Sequence, residues 1–220
     1  MTVKVTKPAL NLREELTKAQ GVVRYEQRQF WMDGLVENGT FDTADGWLET
    51  TSGFWTISGG VATLGYTGSY SALYQPLDIQ VGKRYKVTFD VSGISGALKV
   101  GFTSPYGMQE ILGGITTNGS KTAIAVLTHS DKKGIGIARD NAGGGTIDNV
   151  SVFEVDENDE VIHSLPLGFK PVHVYEDGLL QREGDVHDYT VVKTGGAYAI
   201  KPAVQPTATT ETCIIAEREL

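Results

Sequence analysis

Cysteine is all but missing from this sequence. Cys213 stands alone among 220 residues, so no internal disulfide forms and a small secreted scaffold held by disulfides is excluded. Long apolar runs are missing too. None approaches the ~20 residues that a membrane-crossing helix needs. Met1 to Leu10 has lysines but no apolar signal core, so no secretion signal is expected. Positive charge is in deficit: 19 basic against 27 acidic side chains leave −8 at pH 7. That balance argues against nucleic acid or an anionic membrane as a partner.

The constellations of catalysis are also missing. None of the four histidines, His129, His163, His173 and His187, lies in a nucleophile-elbow or papain-like context. No pair of histidines stands at i, i+4, and one cysteine cannot build a zinc site. Cys213 sits in an apolar Cys-Ile-Ile run, where an inert buried thiol is the default. Gly143-Gly144-Gly145 is not followed by Gly-Lys-Ser/Thr, so it is no phosphate loop. Nothing points to an enzyme, and none is expected.

What is present is glycine, 27 residues of it, with a hydrophobic fraction of 40%. That is enough apolar matter for a core. Many glycines without sustained helical periodicity point to short strands joined by tight turns. The expected class is mainly β: an antiparallel two-sheet sandwich with an N-terminal arm and a small C-terminal β module.

Charge divides the chain into three. Residues 1–35 carry six basic and four acidic side chains, 36–155 eight and eleven, and 156–220 five and twelve. In the first segment, Asn11 with Glu14 has capping-box spacing, and Leu12 and Leu16 share a helical face. These predict a short helix that ends near Gly21. The mixed stretch from Val22 to Trp31 cannot form a private core. It either packs on the chain's own middle domain or serves, with Leu10, Leu12, Leu16, Phe30 and Trp31, as an arm anchored on another subunit.

The second segment, 36–155, alternates in period two. Tyr85-Lys86-Val87-Thr88-Phe89-Asp90-Val91 is the cleanest case, joined by 97–102 and, over most of its length, 146–154, while 122–127 and 135–138 are short apolar runs. Ser58-Gly59-Gly60, Gly82-Lys83 and Asn118-Gly119-Ser120 punctuate it. Several strands in about 120 residues suggest a sandwich. Asp156-Glu157-Asn158-Asp159-Glu160 reads as an acidic linker, 156–165. Beyond it, 166–220 holds a hairpin about Asp177-Gly178 with type I′ chemistry, a second pair about Gly195-Gly196 and a last strand over 212–216.

Three stretches of the middle segment carry a pattern: Asn38-Gly39-Thr40-Phe41-Asp42, Trp55-Thr56-Ile57-Ser58-Gly59-Gly60, and the closing Ile147-Asp148-Asn149-Val150. They resemble the jelly rolls of carbohydrate-binding modules that take xylan and cellulose. The resemblance implies that the last strand lies beside the first, and that Asp42 and Asp148 meet over a structural calcium. The alternative for Asp148 is a turn acceptor. It also implies sugar stacking on exposed aromatics, for which Trp55, Tyr66, Tyr70, Tyr74 and Tyr106 are the candidates. Each of these is alternatively a core or interface ring.

The flanks resemble something different. Thr2-Val3-Lys4-Val5-Thr6-Lys7-Pro8 through Leu16 is similar to the start of small virion proteins of tailed bacteriophages. Val174-Tyr175-Glu176-Asp177-Gly178-Leu179-Leu180, followed by Asp188-Tyr189-Thr190-Val191, is similar to a β module recurrent in phage structural proteins. This resemblance implies a non-enzymatic virion component assembled in the host cytoplasm, a capsid decoration or head fibre ahead of a tail part or fibre adaptor. It would contact other virion proteins, and a homo-oligomer, a trimer by analogy, is implied. The alternative function is a glycan-binding module that attaches a particle, or an enzyme, to carbohydrate.

Overall fold

The computed structural model describes residues 24–30, 34–51, 53–67, 71–104, 107–140, 143–184, 188–194, 196–204 and 211–218. The expected helix between Asn11 and Gly21 lies outside them, as do Leu10, Leu12, Leu16 and Trp31. None of the described residues is helical. In chain order the strands are β1 (Arg24–Phe30), β2 (Leu48–Glu49), β3 (Trp55–Ser58), β4 (Val61–Thr67), β5 (Ala72–Pro76), β6 (Arg84–Ser95), β7 (Leu98–Ser104), β8 (Gly107–Ile115) and β9 (Gly119–Val126). There follow β10 (Gly134–Arg139), β11 (Gly143–Val155), β12 (His163–Ser164), β13 (Phe169–Glu176), β14 (Leu179–Leu180), β15 (Tyr189–Thr194), β16 (Ala197–Pro202) and β17 (Glu211–Arg218).

The chain forms two compact units, divided between His163 and Ser164. The larger, from residue 29 onward, is an antiparallel sandwich of two five-stranded sheets, ordered β2-β5-β10-β7-β8 and β3-β4-β11-β6-β9. Period-two patterning builds it. Along β6, Tyr85, Val87, Phe89 and Val91 are buried while the residues between them are partly exposed. Their inward side chains meet those of the facing sheet, as in the edge-to-face pair of Tyr85 on β6 with Phe102 on β7, 5.7 Å between ring centres. The Tyr85 hydroxyl accepts the Gln80 N–H at 2.9 Å. Burial pushes its pKa up to about 12.

The opening and closing motifs do meet. Asn38 braces its own turn, its amide donating to the Thr43 carbonyl at 2.7 Å and its backbone carbonyl accepting the Trp47 indole N–H at 3.0 Å. Phe41, wholly buried, stacks at 4.9 Å on Trp47. The Gly39 carbonyl accepts the Val150 N–H of β11 at 3.0 Å. On the other side, the buried Gln75 side chain of β5 both accepts from and donates to the Glu37 backbone, each at 2.7 Å. One loop thus ties the strands of both sheets together.

The acidic run 156–160 is a closed turn. The Asp156 carboxylate accepts the N–H groups of Asn158 and Glu160, and Val155 bridges to Val161. Arg84 pairs with Asp159 at 2.6 Å.

The smaller unit draws on both ends of the chain. Its four-stranded sheet runs β1-β17-β13-β14, so the strand of residues 24–30 lies beside the last strand of the chain. For Phe30 only the backbone is described. The Asp177-Gly178 turn has φ of 49° and 78°, as type I′ requires, and β15 pairs with β16 from Tyr189↔Pro202 to Thr194↔Ala197. Leu165, Val174, Tyr189, Ile200, Ile214 and Ala216 form its core.

Candidate functional site

In a sandwich, one face of each sheet is spent on the core, and recognition falls to the other face or to the loops. The sheet β2-β5-β10-β7-β8 has one row of register partners that crosses all five strands: Leu48↔Tyr74↔Gly136↔Gly101↔Glu110. Neighbouring rows through Leu73, Ile137 and Val100 point into the core, so this row points outward. Four strand spacings of ~4.8 Å make it about 19 Å long.

Its floor is made of residues with little or no side chain. A Cβ on Gly136 would stand 2.5 Å from Thr103 Cγ2, and one on Gly101 2.5 Å from Met108 Cγ. Thr103 and Met108 occupy the room that those glycines leave. The Thr103 hydroxyl is turned back to the carbonyls of Ser104 and Gly107, at 3.1 and 3.0 Å, which presents its methyl to Gly136. Gly101, Gly136 and Thr103 are themselves buried, and the Met108 side chain lies against both glycines, so the middle of the strip is apolar. At one end Tyr74 is half-exposed and Leu48 is 48% exposed. At the other end stands the exposed carboxylate of Glu110.

Gly113 positions that carboxylate. A Cβ there would collide with Glu110 Oε1 and sit 2.7 Å from its Cδ. Gly113→Ala is therefore expected to displace Glu110 without unfolding the protein, because the displaced group is the far end of a flexible side chain. A shifted NMR signal of the Glu110 side chain, at unchanged thermal midpoint, checks it. Two ion pairs stand beside the same sheet, at the two ends of β10. Lys99 lies 3.6 Å from Asp140, which also accepts the Gly114 N–H, and Lys132 reaches Asp131 and the Ser104 hydroxyl.

Of the five aromatic candidates, Tyr74 alone is described on this face. Trp55 is a correction: it is 6% exposed, in the core cluster with Leu64 and Ile147, and offers no ring face to a ligand. Its position at the start of β3, paired with Leu64, directs it inward. Its indole N–H has no hydrogen-bond partner among the described residues. Tyr66 lies on β4 with its side chain outside the described set, and Tyr70 and Tyr106 lie wholly outside it.

Asp42 and Asp148 serve their own turns. Asp42 accepts the Thr40 hydroxyl at 2.9 Å, and Asp148 accepts the Asn149 N–H at 2.7 Å. Asp148 faces Asp90 across β11 and β6. Hydrogen bonds from Ser120 and then Asn149 hold the Asp90 carboxyl below the usual range. Among the described residues, no three His, Cys, Asp or Glu side chains converge in a manner suited to a metal ion.

Gly136, Gly101, Gly113, Met108, Leu48 and Glu110 were not singled out by the sequence reading. Only the cross-strand register gathers them, since they come from four separate strands.

The fold and this face define an antiparallel two-sheet jelly-roll sandwich with one apolar, carboxylate-ended outward strip. No family model matches the chain, and no curated protein matches it. Among solved structures it is similar to the enzymatically active domain of tailspike protein 4 of bacteriophage CBA120, with 15% identity, 56% of this chain covered and a TM-score of 0.37. The chain spans only 21% of that tailspike domain's length. It is also similar to a family 29 carbohydrate-binding module, with 14% identity, 59% of this chain and 89% of that one covered and a TM-score of 0.41. A third is the N-terminal cellulose-binding domain of Cellulomonas fimi β-1,4-glucanase C, with 18% identity, 54% of this chain and 95% of that one covered and a TM-score of 0.35. At these scores, what those proteins bind carries no argument for this chain.

Proposed function

We propose that this protein binds carbohydrate on the outward strip of the sheet β2-β5-β10-β7-β8. The observation that carries this reading is the single row Leu48–Tyr74–Gly136–Gly101–Glu110. A sugar ring has an apolar CH face and a polar hydroxyl edge. The half-exposed Tyr74 ring and the apolar Met108 side chain beside it suit the face, and the Glu110 carboxylate suits the edge as a charged acceptor. The resemblance of the opening and closing motifs to carbohydrate-binding jelly rolls supports the same reading. The test is a polysaccharide and glycan-array screen of the full chain. Tyr74→Ala is expected to weaken binding at least tenfold, which corresponds to about 1.4 kcal/mol, with the fold intact. Silence of the wild-type chain across the array overturns the reading.

The finer reading places this sandwich on a tailed-phage particle, without enzymatic activity, and on the capsid ahead of the tail. The flank motifs favour it, together with the observation that strands from both ends of the chain build one sheet of a separate unit. That unit would take the contacts with other virion proteins or with further copies. Mass spectrometry of purified particles, with labelling by electron microscopy, tests it; absence of the chain from them overturns it.

A further inference from the structure

The outward strip carries one uncompensated charge. Lys99 beside it is paired with Asp140, and Lys132 with Asp131, so each ammonium already faces a carboxylate. Glu110 has no such partner. Among the described residues no cation pairs with its exposed carboxylate and no N–H or O–H donates to it. The group lies over bare backbone. Its cross-strand partner is Gly101, and a Cβ on Gly113 would stand 2.7 Å from its Cδ.

A lone carboxylate at the end of an apolar strip sorts ligands by charge. It repels sugars that bear a carboxylate or a sulfate, and the two nearby ammonium groups are already engaged. It favours a sugar that bears a cation. An ammonium that donates to a carboxylate makes a charge-assisted bond, about twice as strong as one between neutral groups. Among sugars, the group that supplies this charge is the free primary amine of an amino sugar.

The register also sets a length. Tyr74 on β5 and Glu110 on β8 stand three strand spacings apart in one row, through Gly136 and Gly101. That is about 14 Å, more than one sugar ring covers. The ring on Tyr74 and the ring at Glu110 therefore belong to different residues of one linear chain.

We propose that the strip selects a linear oligosaccharide with free amino groups. One residue stacks on Tyr74, and another, further along, donates its ammonium to Glu110. The inference rests on the carbohydrate reading above and adds to it the sign of the ligand's charge and its minimum length.

Isothermal titration calorimetry of the full chain tests it with three β-1,4-linked tetramers, of glucosamine, of N-acetylglucosamine and of glucose. At about pH 6 the amine is protonated and the carboxylate ionised. The glucosamine tetramer is expected to bind about tenfold tighter than either of the others, and about tenfold tighter than single glucosamine. Glu110→Gln is expected to bring the ratio between the amine and the acetylated tetramers close to one. Asp177→Asn removes an acid from the smaller unit and is expected to leave that ratio unchanged, which separates recognition at Glu110 from general attraction to a chain of charge −8. Equal affinity for the amine and the acetylated tetramers, silence of the glucosamine tetramer, or a preference that survives Glu110→Gln overturns the inference. The carbohydrate reading stands or falls separately, by the array and by Tyr74→Ala.

Discussion

Phe41→Ala is expected to lower the stability of the sandwich by about 3–5 kcal/mol, the range for a large aromatic removed from a core that cannot collapse around the gap. Phe41 has no exposure and lies on the Trp47 ring. The loop that carries it is pinned on either side, before Phe41 by Gly39 to Val150 of β11 and by the Gln75 side chain to Glu37, and after it by the Trp47 indole N–H to the Asn38 carbonyl. It cannot sink inward to fill the space. The backbone of Phe41 has φ 53°, a region that costs free energy for any side chain. Alanine keeps that cost and loses the packing that offsets it. Leucine at the same position keeps part of the volume and is expected to cost roughly half as much. Urea unfolding of the full chain, followed by tryptophan fluorescence, measures both. A midpoint shift below about 1 kcal/mol for Phe41→Ala would mean that the opening motif is not a core element.

That motif shows what is legible in a sequence of this kind. Asn38 to Asp42 stand out in the sequence as one motif, and in the structure they form one braced loop in which Phe41 is buried against Trp47, because each residue acts over a few positions on its own loop. The alternation of Tyr85 to Val91 is equally local and becomes β6. Asp177-Gly178 declares its turn through the backbone conformation that those two residues tolerate. All of these signals are carried by neighbours in the chain.

The outward strip is different in kind. Residues 48, 74, 101, 110 and 136 become neighbours only through register, and a shift of one residue in any strand turns its contribution to the other face. In sequence, Gly101, Gly113 and Gly136 look like turn punctuation; in the sheet they are absences that Met108, Thr103 and Glu110 occupy. Trp55 fails for the same reason from the other side. Trp-Thr-Ile-Ser alternates well, but alternation does not say which face is inward, and β4 decides it through Leu64. The pairing of β1 with β17 joins residues almost two hundred positions apart, and no local pattern encodes that.

His163 provides the second large effect, and it is one of pH. The ring is wholly enclosed, and burial pulls its pKa down from 6.5 to about 4. Above pH 6.5 the ring is neutral in both folded and unfolded chains, and the histidine adds no pH dependence. As pH falls below 6.5 the unfolded chain takes up a proton that the folded chain refuses until about pH 4. Stability is therefore lost through that window and levels off beneath it. A gap of about 2.5 units corresponds to roughly 3 kcal/mol, a substantial part of the stability of an ordinary domain. The carboxylates also titrate as the solution is acidified, so the wild-type curve alone does not isolate the imidazole. His163→Leu does: it keeps an apolar group of similar size in the site and removes the proton acceptor from the unfolded state. Urea midpoints from pH 7.5 to 4 are expected to fall more steeply for wild type than for His163→Leu, with the difference opening below pH 6.5 and reaching roughly 3 kcal/mol near pH 4. Parallel curves would show that the folded protein accepts the proton at the same pH as the unfolded one, and would overturn the enclosed, neutral imidazole.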